Sequence, residues 1–312
     1  MTGNPTWGIV STVRGPTPDI LRFVAYHLDL GVDRMYIFLD EPNSAAFGAL
    51  DGHKKIDVHT CDHRFWASRK RDRPQAHQTR QTANASFTYR NTDLDWLTHI
   101  DMDEFLWPDR PISQCLAEVS DDLPGVRVRP IEALASGEDE YKAFIPQGLH
   151  REKLVQTIYP SFGAFVRGGF LSHLQGKIFA RTGLPKISFR IHNLLQNGEP
   201  LPCKAELPGV DICHRHAPDW DCWLAHLPFR LECGSYRPGM SPNVPRADGG
   251  MNMNELLTRI DAENGVDGLR SFFDEISGAD PEVHARLEKF GMLRHRPLNL
   301  NAKLAKHFPG SA

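Results

Sequence analysis

Residues 7–40 read WGIVSTVRGPTPDILRFVAYHLDLGVDRMYIFLD, and this stretch decides the fold class. Residues 7–13 form an apolar run rich in β-branched side chains, which is typical of a short buried strand. Thr17 is predicted to cap a helix whose first position is Pro18. Residues 34–40 predict a second strand, which ends in an acidic residue. Strand, helix and strand form a βαβ unit with parallel strands and a right-handed crossover.

The alternation of strands and helices continues beyond this unit. Residues 56–59 predict a third strand, residues 75–90 a long helix and residues 96–100 a fourth strand. This order predicts an α/β fold with a mixed, mostly parallel sheet flanked by helices. After residue 105 the pattern is less regular, although later strands and helices are still expected.

The chain is predicted to divide into three parts. Residues 1–235 are expected to form one large α/β domain. Residues 236–250 contain three prolines and three glycines and predict a linker. Residues 251–312 are expected to form a small helical carboxyl-terminal extension.

Composition excludes several classes of protein. The chain has 312 residues, of which 40% are hydrophobic and 24% charged, and its net charge of -3 argues against a nucleic-acid binder. We see no signal peptide and no run of ~18 apolar residues for a membrane span. None of the six cysteines forms a Cys-x-x-Cys pair, so we expect free thiols in a cytoplasmic protein. Association with the inner face of a membrane is left open.

An acidic cluster directly follows the apolar run of the fourth strand. Asp101, Asp103 and Glu104 come after residues 96–100. Carboxylates at the end of a buried strand need partners, and a divalent cation such as Mg²⁺ or Mn²⁺ is a suitable one. Strand alternation would send Asp101 and Asp103 to the same side. The alternative is an acidic helix cap or surface turn, but a cap requires only one carboxylate.

The stretch Trp96-Leu97-x-x-Ile100-Asp101-Met102-Asp103-Glu104-Phe105-Leu106 resembles the Asp-x-Asp-Glu-Phe signature of family 2-like glycosyltransferases with a GT-A fold. Upstream, residues 26–33 and 38–40 are similar to the family's first helix and to its second strand, which ends in Asp. Downstream, residues 176–181 are similar to its Gly-Lys-x-x-x-Arg strand. The resemblance covers roughly residues 7–231 and implies that the predicted domain 1–235 is a GT-A-like catalytic domain that binds nucleotide sugar and metal. Arg14-Gly15 departs from it, because many relatives have Asn-Glu there.

The resemblance implies a metal-dependent, inverting glycosyltransferase. Such an enzyme moves a sugar from a UDP- or GDP-sugar to the hydroxyl of a saccharide or another acceptor, with Mn²⁺ or Mg²⁺ as cofactor. Surface polysaccharide or glycoconjugate synthesis is the setting it suggests. Asp103 would be the direct metal ligand, Asp101 would bind metal, metal-bound water or ribose, and Glu104 would support them or bind acceptor.

Four further residues are expected on the nucleotide side. Asp40 matches the position that meets the nucleobase or ribose in the family. Arg80 and Gln81 lie on the helix before the acidic strand, and Lys177 suits a phosphate contact. For these three the alternative is a solvated helix face or a strand-edge charge. The basic stretch 69–73 is expected to be a solvated or flexible loop.

His192 is the predicted third metal ligand, because it follows the Lys177 strand. The alternative is a strand-end histidine that bonds to the backbone, and His214 and His216 are rivals for the metal role. An inverting enzyme also needs a general base. Glu132 and Glu138 are candidates, together with the neighbouring Asp139, although a solvated loop is favoured for all of them.

Two other classes of function remain open. One is a metal-dependent phosphohydrolase or nucleotidyltransferase. Such enzymes usually place a nucleophilic Asp after the first strand, where this chain has Val13-Arg14-Gly15, so the sequence speaks against them. The other is a non-catalytic module that binds nucleotide sugar without turnover.

Overall fold

The computed structural model describes residues 3–135, 137 and 139–310. The chain forms two compact units. The first lies within Met1–Arg129, Gln175–Ile212 and Leu298–Ala312, and the second within Pro130–Leu174 and Cys213–Pro297. A compact unit is not by itself an independently folding domain. The predicted division at residues 236–250 therefore stays a prediction.

The described residues contain strands and helices along their whole length. The strands are β1 (Trp7–Val13), β2 (Arg34–Leu39), β3 (Ile56–Thr60), β4 (Trp96–His99), β5 (Glu104–Pro108), β6 (Gly125–Ala133), β7 (Glu140–Lys142), β8 (Lys177–Arg181), β9 (Ile187–Phe189), β10 (Leu194–Gln196), β11 (Glu199–Leu201), β12 (Glu206–His214) and β13 (Leu293–His295). The helices are α1 (Thr17–Asp29), α2 (Ser44–Leu50), α3 (His63–Ser68), α4 (His77–Asn91), α5 (Ile112–Ala117), α6 (Arg151–Ile158), α7 (Trp220–Glu232), α8 (Met253–Ser277), α9 (Pro281–Lys289) and α10 (Leu300–His307).

The sheet of the first unit confirms the predicted α/β fold. Its strands lie in the order β6-β8-β4-β1-β2-β3. The pairs β4-β1, β1-β2 and β2-β3 are parallel, whereas β8 is antiparallel to both β4 and β6. All seven residues of β1 are buried, as expected for a central strand covered on both faces. Strands β9, β10 and β11 form a separate small sheet.

Strand order in this sheet reverses at β1. From β1 the chain proceeds to β2 and β3 on one side, and it then places β4 on the other side of β1. Ligands of open α/β sheets bind outside the carboxyl ends of the strands at such a switch point. The loops that follow β1 and β4 therefore mark the expected position of a site.

Helix α1 begins one step differently from the sequence expectation. The N-cap is Pro16, no side chain caps the helix, and Thr17 is its first residue. Thr17 cannot cap because it already lies within the helix. Its hydroxyl instead donates to Asn43 Oδ1 at 3.0 Å. The same oxygen accepts the backbone N–H of Ala46 at 2.9 Å, so Asn43 caps α2 and links the loops after β1 and β2.

The second unit contains most of the carboxyl-terminal helices. Its core packs α6, α7, α8 and α9 around buried aromatic residues such as Trp223 and Phe272. Helix α8 consists of two helical stretches that meet at a kink. Gly265 interrupts it with φ 61° and ψ -151°, a conformation that glycine adopts without strain. Among the described residues, no helix has both the length and the apolar character needed to cross a membrane.

Candidate functional site: an acidic turn after the fourth strand

The acidic cluster forms a closed turn rather than an extension of the strand. Strand β4 ends at His99, so the predicted alternation of Asp101 and Asp103 along a strand is wrong. The backbone N–H of Glu104 donates to the carbonyl oxygen of Asp101 at 3.1 Å. In return, the N–H of Asp101 donates to Glu104 Oε2 at 2.8 Å. These reciprocal bonds fix the turn and place Met102 and Asp103 at its two central positions.

The acidic turn, residues 101–104, lies beside the loop that follows β1. A Cβ atom on Gly15 would come within 2.9 Å of Met102 Cε, so the two loops approach closely. Asn43, in the loop after β2, donates to the carbonyl oxygen of Gly15 at 3.4 Å. The carboxyl ends of β1, β2 and β4 therefore converge at the switch point of the sheet.

Asp101 is held by two of the residues that were predicted with it. Gln81 Nε2 donates to Asp101 Oδ1 at 2.5 Å, and Lys177 Nζ donates to Asp101 Oδ2 at 2.6 Å. Lys177 also pairs with Glu104 Oε2 at 3.1 Å. Burial alone would lower the pKa of Lys177, but Asp101 and Glu104 outweigh it and raise the pKa above its usual value. The ammonium therefore stays charged.

Lys177 reaches the acidic turn because of the glycine before it. Strand β8 runs antiparallel to β4, so its first residue lies near the carboxyl end of β4. Gly176 has φ +67°, and a Cβ there would lie 2.0 Å from the carbonyl oxygen of Val128 on β6. Only glycine allows this approach. Gly176 thus lets the backbone of β8 pack closely against β6, and Lys177 next to it contacts the acidic turn.

Asp40, directly after β2, is contacted by three basic side chains. Arg80 donates to both of its carboxylate oxygens, at 2.6 Å each, and Arg73 Nη2 lies 3.3 Å from Oδ1. His77 Nδ1 lies 3.5 Å from Oδ2. Burial raises the pKa of Asp40, but the hydrogen bonds from His77 and Arg80 lower it by a larger amount. The pKa therefore falls well below its usual range. The predicted contact of Asp40 with nucleotide stays a prediction.

The basic stretch 69–73 is more ordered than expected. The Arg69 guanidinium lies over the rings of Phe65 and Phe87, at 4.0 Å and 3.8 Å from their centroids. Arg73 reaches back to the carbonyl oxygen of Asp40 at 3.1 Å. The prediction of a solvated loop is therefore wrong for Arg69, which packs between two aromatic rings, whereas Arg73 pairs with Asp40 and is still 40% exposed.

His192 has the backbone contact that was its alternative interpretation. Its Nδ1 lies 3.0 Å from the carbonyl oxygen of Gly176. A carbonyl only accepts, so Nδ1 carries the proton and Nε2 is the ring nitrogen able to ligate a metal. Across residues 3–135, 137 and 139–310, however, Asp101, Asp103 and His192 do not bring one ligand atom each within 4.8 Å of the others. The metal role of His192 stays a prediction.

The rival histidines belong to a cluster in the second unit. The ring centroids of His173 and His214 lie 5.1 Å apart, and those of His214 and His216 lie 5.3 Å apart. Imidazole nitrogens suit transition metals, as carboxylate oxygens suit Mg²⁺ and Mn²⁺. The acidic turn of the first unit and the histidine cluster of the second each offer side chains that could hold a metal ion.

Glu132 is a buried ion-pair partner rather than a solvated loop residue. Its carboxylate lies 2.9 Å from Lys142 Nζ and accepts the backbone N–H groups of Leu171 and Ser172 at 2.8 Å and 2.7 Å. Burial raises its pKa, but Lys142 and then His216 lower it to about 2. A carboxylate with this pKa is a poor proton acceptor at neutral pH, although its catalytic role stays untested.

The other candidate bases give little further information. Glu138 lies outside the described residues. Asp139 is in the turn before β7, where its carbonyl oxygen accepts the N–H of Arg296 at 2.7 Å. The structure therefore does not establish a solvated loop at Glu138 or at Asp139.

Four side chains next to the predicted ones were missed: Arg73, His77, Arg127 and His173. The first two lie in a basic segment before Arg80, so their pairing with an acidic strand end was foreseeable. Arg127 donates to the carbonyl oxygens of Gln175 and His192 at 2.8 Å and 3.0 Å. A side chain that bonds to backbone carbonyls leaves no pattern in the sequence.

Comparison with known proteins adds little to this geometry. No protein-family model and no curated protein matches the chain. Among solved structures, the chain is similar to the one described as "Crystal structure of HddC from Yersinia pseudotuberculosis". The two share 12% identity over 76% of this chain and 87% of that chain, with a TM-score of 0.30. A similarity of this size carries no argument about fold or function.

Proposed function

We propose that the protein is a metal-dependent glycosyltransferase that moves a sugar from a nucleoside-diphosphate sugar to a hydroxyl acceptor. The observation that carries the proposal is the acidic turn, residues 101–104, at the sheet's switch point. Its Asp-x-Asp-Glu sequence resembles the family signature. It also lies where an α/β sheet binds nucleotides, beside the loop that contains Gly15.

The side chains around the turn fit an oxygen-ligated divalent ion. Asp103 lies at the centre of the turn and is the assigned ligand, which favours Mn²⁺ or Mg²⁺ over softer metals. Such an ion supplies Lewis-acid stabilisation of the charge on a departing diphosphate. In the proposed site His192 is a further ligand through Nε2, the nitrogen that its bond to Gly176 leaves unprotonated.

The residues of the first unit have separate proposed roles toward the nucleotide. Lys177 compensates the charges of Asp101 and Glu104 and so reduces the negative charge of the turn beside which a diphosphate would bind. Gln81 holds Asp101 in position from α4. The pair of Asp40 and Arg80 fixes the start of α4 against the end of β2, at the expected position of the base and ribose. Buried, hydrogen-bonded groups of this kind are preorganised for binding.

A thermal-shift screen tests the proposal directly. UDP, GDP and their sugar conjugates are added with Mn²⁺, with Mg²⁺ and with EDTA. A ligand that binds only the native state must raise the melting temperature. We expect a shift that requires both nucleotide and metal, and slow release of free sugar from the donor that gives the largest shift. Metal-independent shifts, or release of phosphate instead of sugar, would contradict glycosyl transfer and favour a phosphohydrolase.

A further inference from the structure

The ammonium of Lys177 lies among the carboxylates of the acidic turn. Its Nζ is 2.6 Å from Asp101 Oδ2 and 3.1 Å from Glu104 Oε2. The side chains of Lys177 and Glu104 have no exposed surface, whereas that of Asp101 is 28% exposed. A charged lysine is tolerated in such a place only when carboxylates compensate it. The ammonium is therefore part of the turn's structure.

The oxygens of Asp101 are already occupied by donors from this chain. Gln81 donates to Oδ1 and Lys177 donates to Oδ2. Glu104 Oε2 accepts both Lys177 and the N–H of Asp101. Each oxygen of Asp101 keeps a further lone pair, but a divalent ion bound there would lie next to the ammonium of Lys177 and be repelled by it unless it displaced that ammonium. Displacing Lys177 would leave a buried cation with half of its compensation, which is costly.

We infer that Lys177 is a tethered cation, which permanently fills the cation position between Asp101 and Glu104, while a divalent ion binds through Asp103. Asp101 is then a positioning residue for the ammonium and not a direct metal ligand. The three carboxylates and one ammonium leave two formal negative charges, which one divalent ion balances. The inference rests on the proposed function only in assigning Asp103 as the metal ligand.

The consequence is a site with two positive centres of different kinds. One is exchangeable and is supplied by the metal, and the other is covalently attached to β8. Because the side chain of Lys177 is fully buried, its charge acts on the carboxylates of the acidic turn and not by direct contact with a ligand.

Replacing Lys177 tests whether its ammonium fills a cation position between Asp101 and Glu104. In Lys177→Met the carboxylates of Asp101 and Glu104 face each other without the ammonium, and a divalent ion can take its place. We expect a lower melting temperature in EDTA and a large recovery in Mn²⁺, greater than the metal-induced shift of the wild type. Melting followed by circular dichroism measures both, without reference to activity.

Lys142→Met is the matched control for this measurement. Lys142 is also buried, with 1% exposure, and pairs with Glu132 at 2.9 Å. Glu132, however, accepts two backbone N–H groups, and the other contacts of Lys142 within the described part of the chain are carbonyl oxygens and not a second carboxylate. This variant should also have a lower melting temperature than wild type, and Mn²⁺ should not restore it. Equal metal responses in Lys177→Met, Lys142→Met and wild type would overturn the inference.

Asp101→Asn supplies an independent test that does not require Lys177→Met to fold. Calorimetric titration with Mn²⁺ compares Asp101→Asn and Asp103→Asn with the wild type. We expect Asp103→Asn to lose measurable binding, and Asp101→Asn to lose no more than about tenfold, as for a group that orients a ligand. Equal losses in the two variants would make Asp101 a direct ligand and overturn the inference. Failure of the proposed function is distinct from this, because it would appear as an absence of nucleotide binding in the wild type.

Discussion

The guanidinium of Arg80 donates to both carboxylate oxygens of Asp40, at 2.6 Å each, with 7% and 1% of the two side chains exposed. This bidentate pair joins the start of α4 to the end of β2. Arg73 and His77 reach the same carboxylate from the segment before α4. One acidic residue thus fixes a basic segment that would otherwise repel itself.

Asp40→Asn should destabilise the protein by about 3–5 kcal/mol at pH 7, because it leaves a buried guanidinium without its charge partner. Urea denaturation measures this difference. Because the folded-state pKa of Asp40 is lowered, its contribution is present above the unfolded pKa of about 3.9 and is lost as the pH falls through the folded value. The difference between wild type and variant should therefore shrink at strongly acidic pH. A variant as stable as wild type at pH 7 would contradict this account.

Two buried histidines should make the protein sensitive to acid. Burial lowers the pKa of His27 to about 3 and that of His99 to about 4. The unfolded chain takes up these protons near pH 6.5, while the folded protein does not, so the free energy of unfolding falls as the pH drops below 6.5. Each histidine contributes a slope of up to about 1.4 kcal/mol per pH unit.

Urea denaturation between pH 7 and pH 5 measures the slope that these histidines cause. In His27→Gln one titrating group is removed, so the slope should be shallower than in wild type by up to about 1.4 kcal/mol per pH unit. The comparison uses slopes, so the variant's own loss of stability does not affect it. Parallel lines for wild type and variant would show that His27 takes up its proton equally in the folded and the unfolded chain, which would contradict this account.

Gly176→Ala should disrupt the approach of β8 to β6. The added Cβ would lie 2.0 Å from the carbonyl oxygen of Val128, at a backbone φ of +67°. We expect a loss of more than about 2 kcal/mol, from left-handed backbone strain together with the collision. Gly183→Ala is the control, because Gly183 also has a positive φ, +79°, but has nothing within 4 Å of the added Cβ. Equal losses of unfolding free energy in the two variants would show that the collision with Val128 does not contribute.

His192→Ala should weaken the affinity for Mn²⁺, because it removes the imidazole to which we assign a ligand role through Nε2. Calorimetric titration with Mn²⁺ measures the change, and His214→Ala and His216→Ala are titrated in parallel. A loss confined to His214→Ala or His216→Ala would mean that the wrong histidine is assigned. Circular dichroism of each variant separates a loss of metal affinity from a loss of fold.

Local patterns predicted the elements that carry the site. Strands β1, β2 and β4 and helix α1 lie within one or two residues of their expected positions, because each is marked by an apolar run or a proline start. The α/β sheet followed from their order. These features depend on short stretches of sequence, which is why the sequence alone revealed them.

The features that the sequence did not reveal depend on distant partners. Lys177 and Asp101 are 76 residues apart, and nothing local indicates that the lysine will be buried against the carboxylate. Glu132 reads as a polar loop residue until Lys142 on the neighbouring strand β7 is placed beside it. The turn at residues 101–104 closes through its own side chain, so the strand ends earlier than its apolar pattern predicts.

The central claim is that the acidic turn binds a divalent ion and a nucleotide through Asp103. Calorimetric titration of UDP or GDP in Mn²⁺ tests it most directly. Wild type and Asp103→Asn are compared at a temperature at which both are folded. We predict that wild type binds nucleotide only when metal is present, and that Asp103→Asn loses this binding while its far-UV circular dichroism shows that it remains folded. Unaltered metal-dependent nucleotide binding in Asp103→Asn would contradict the claim.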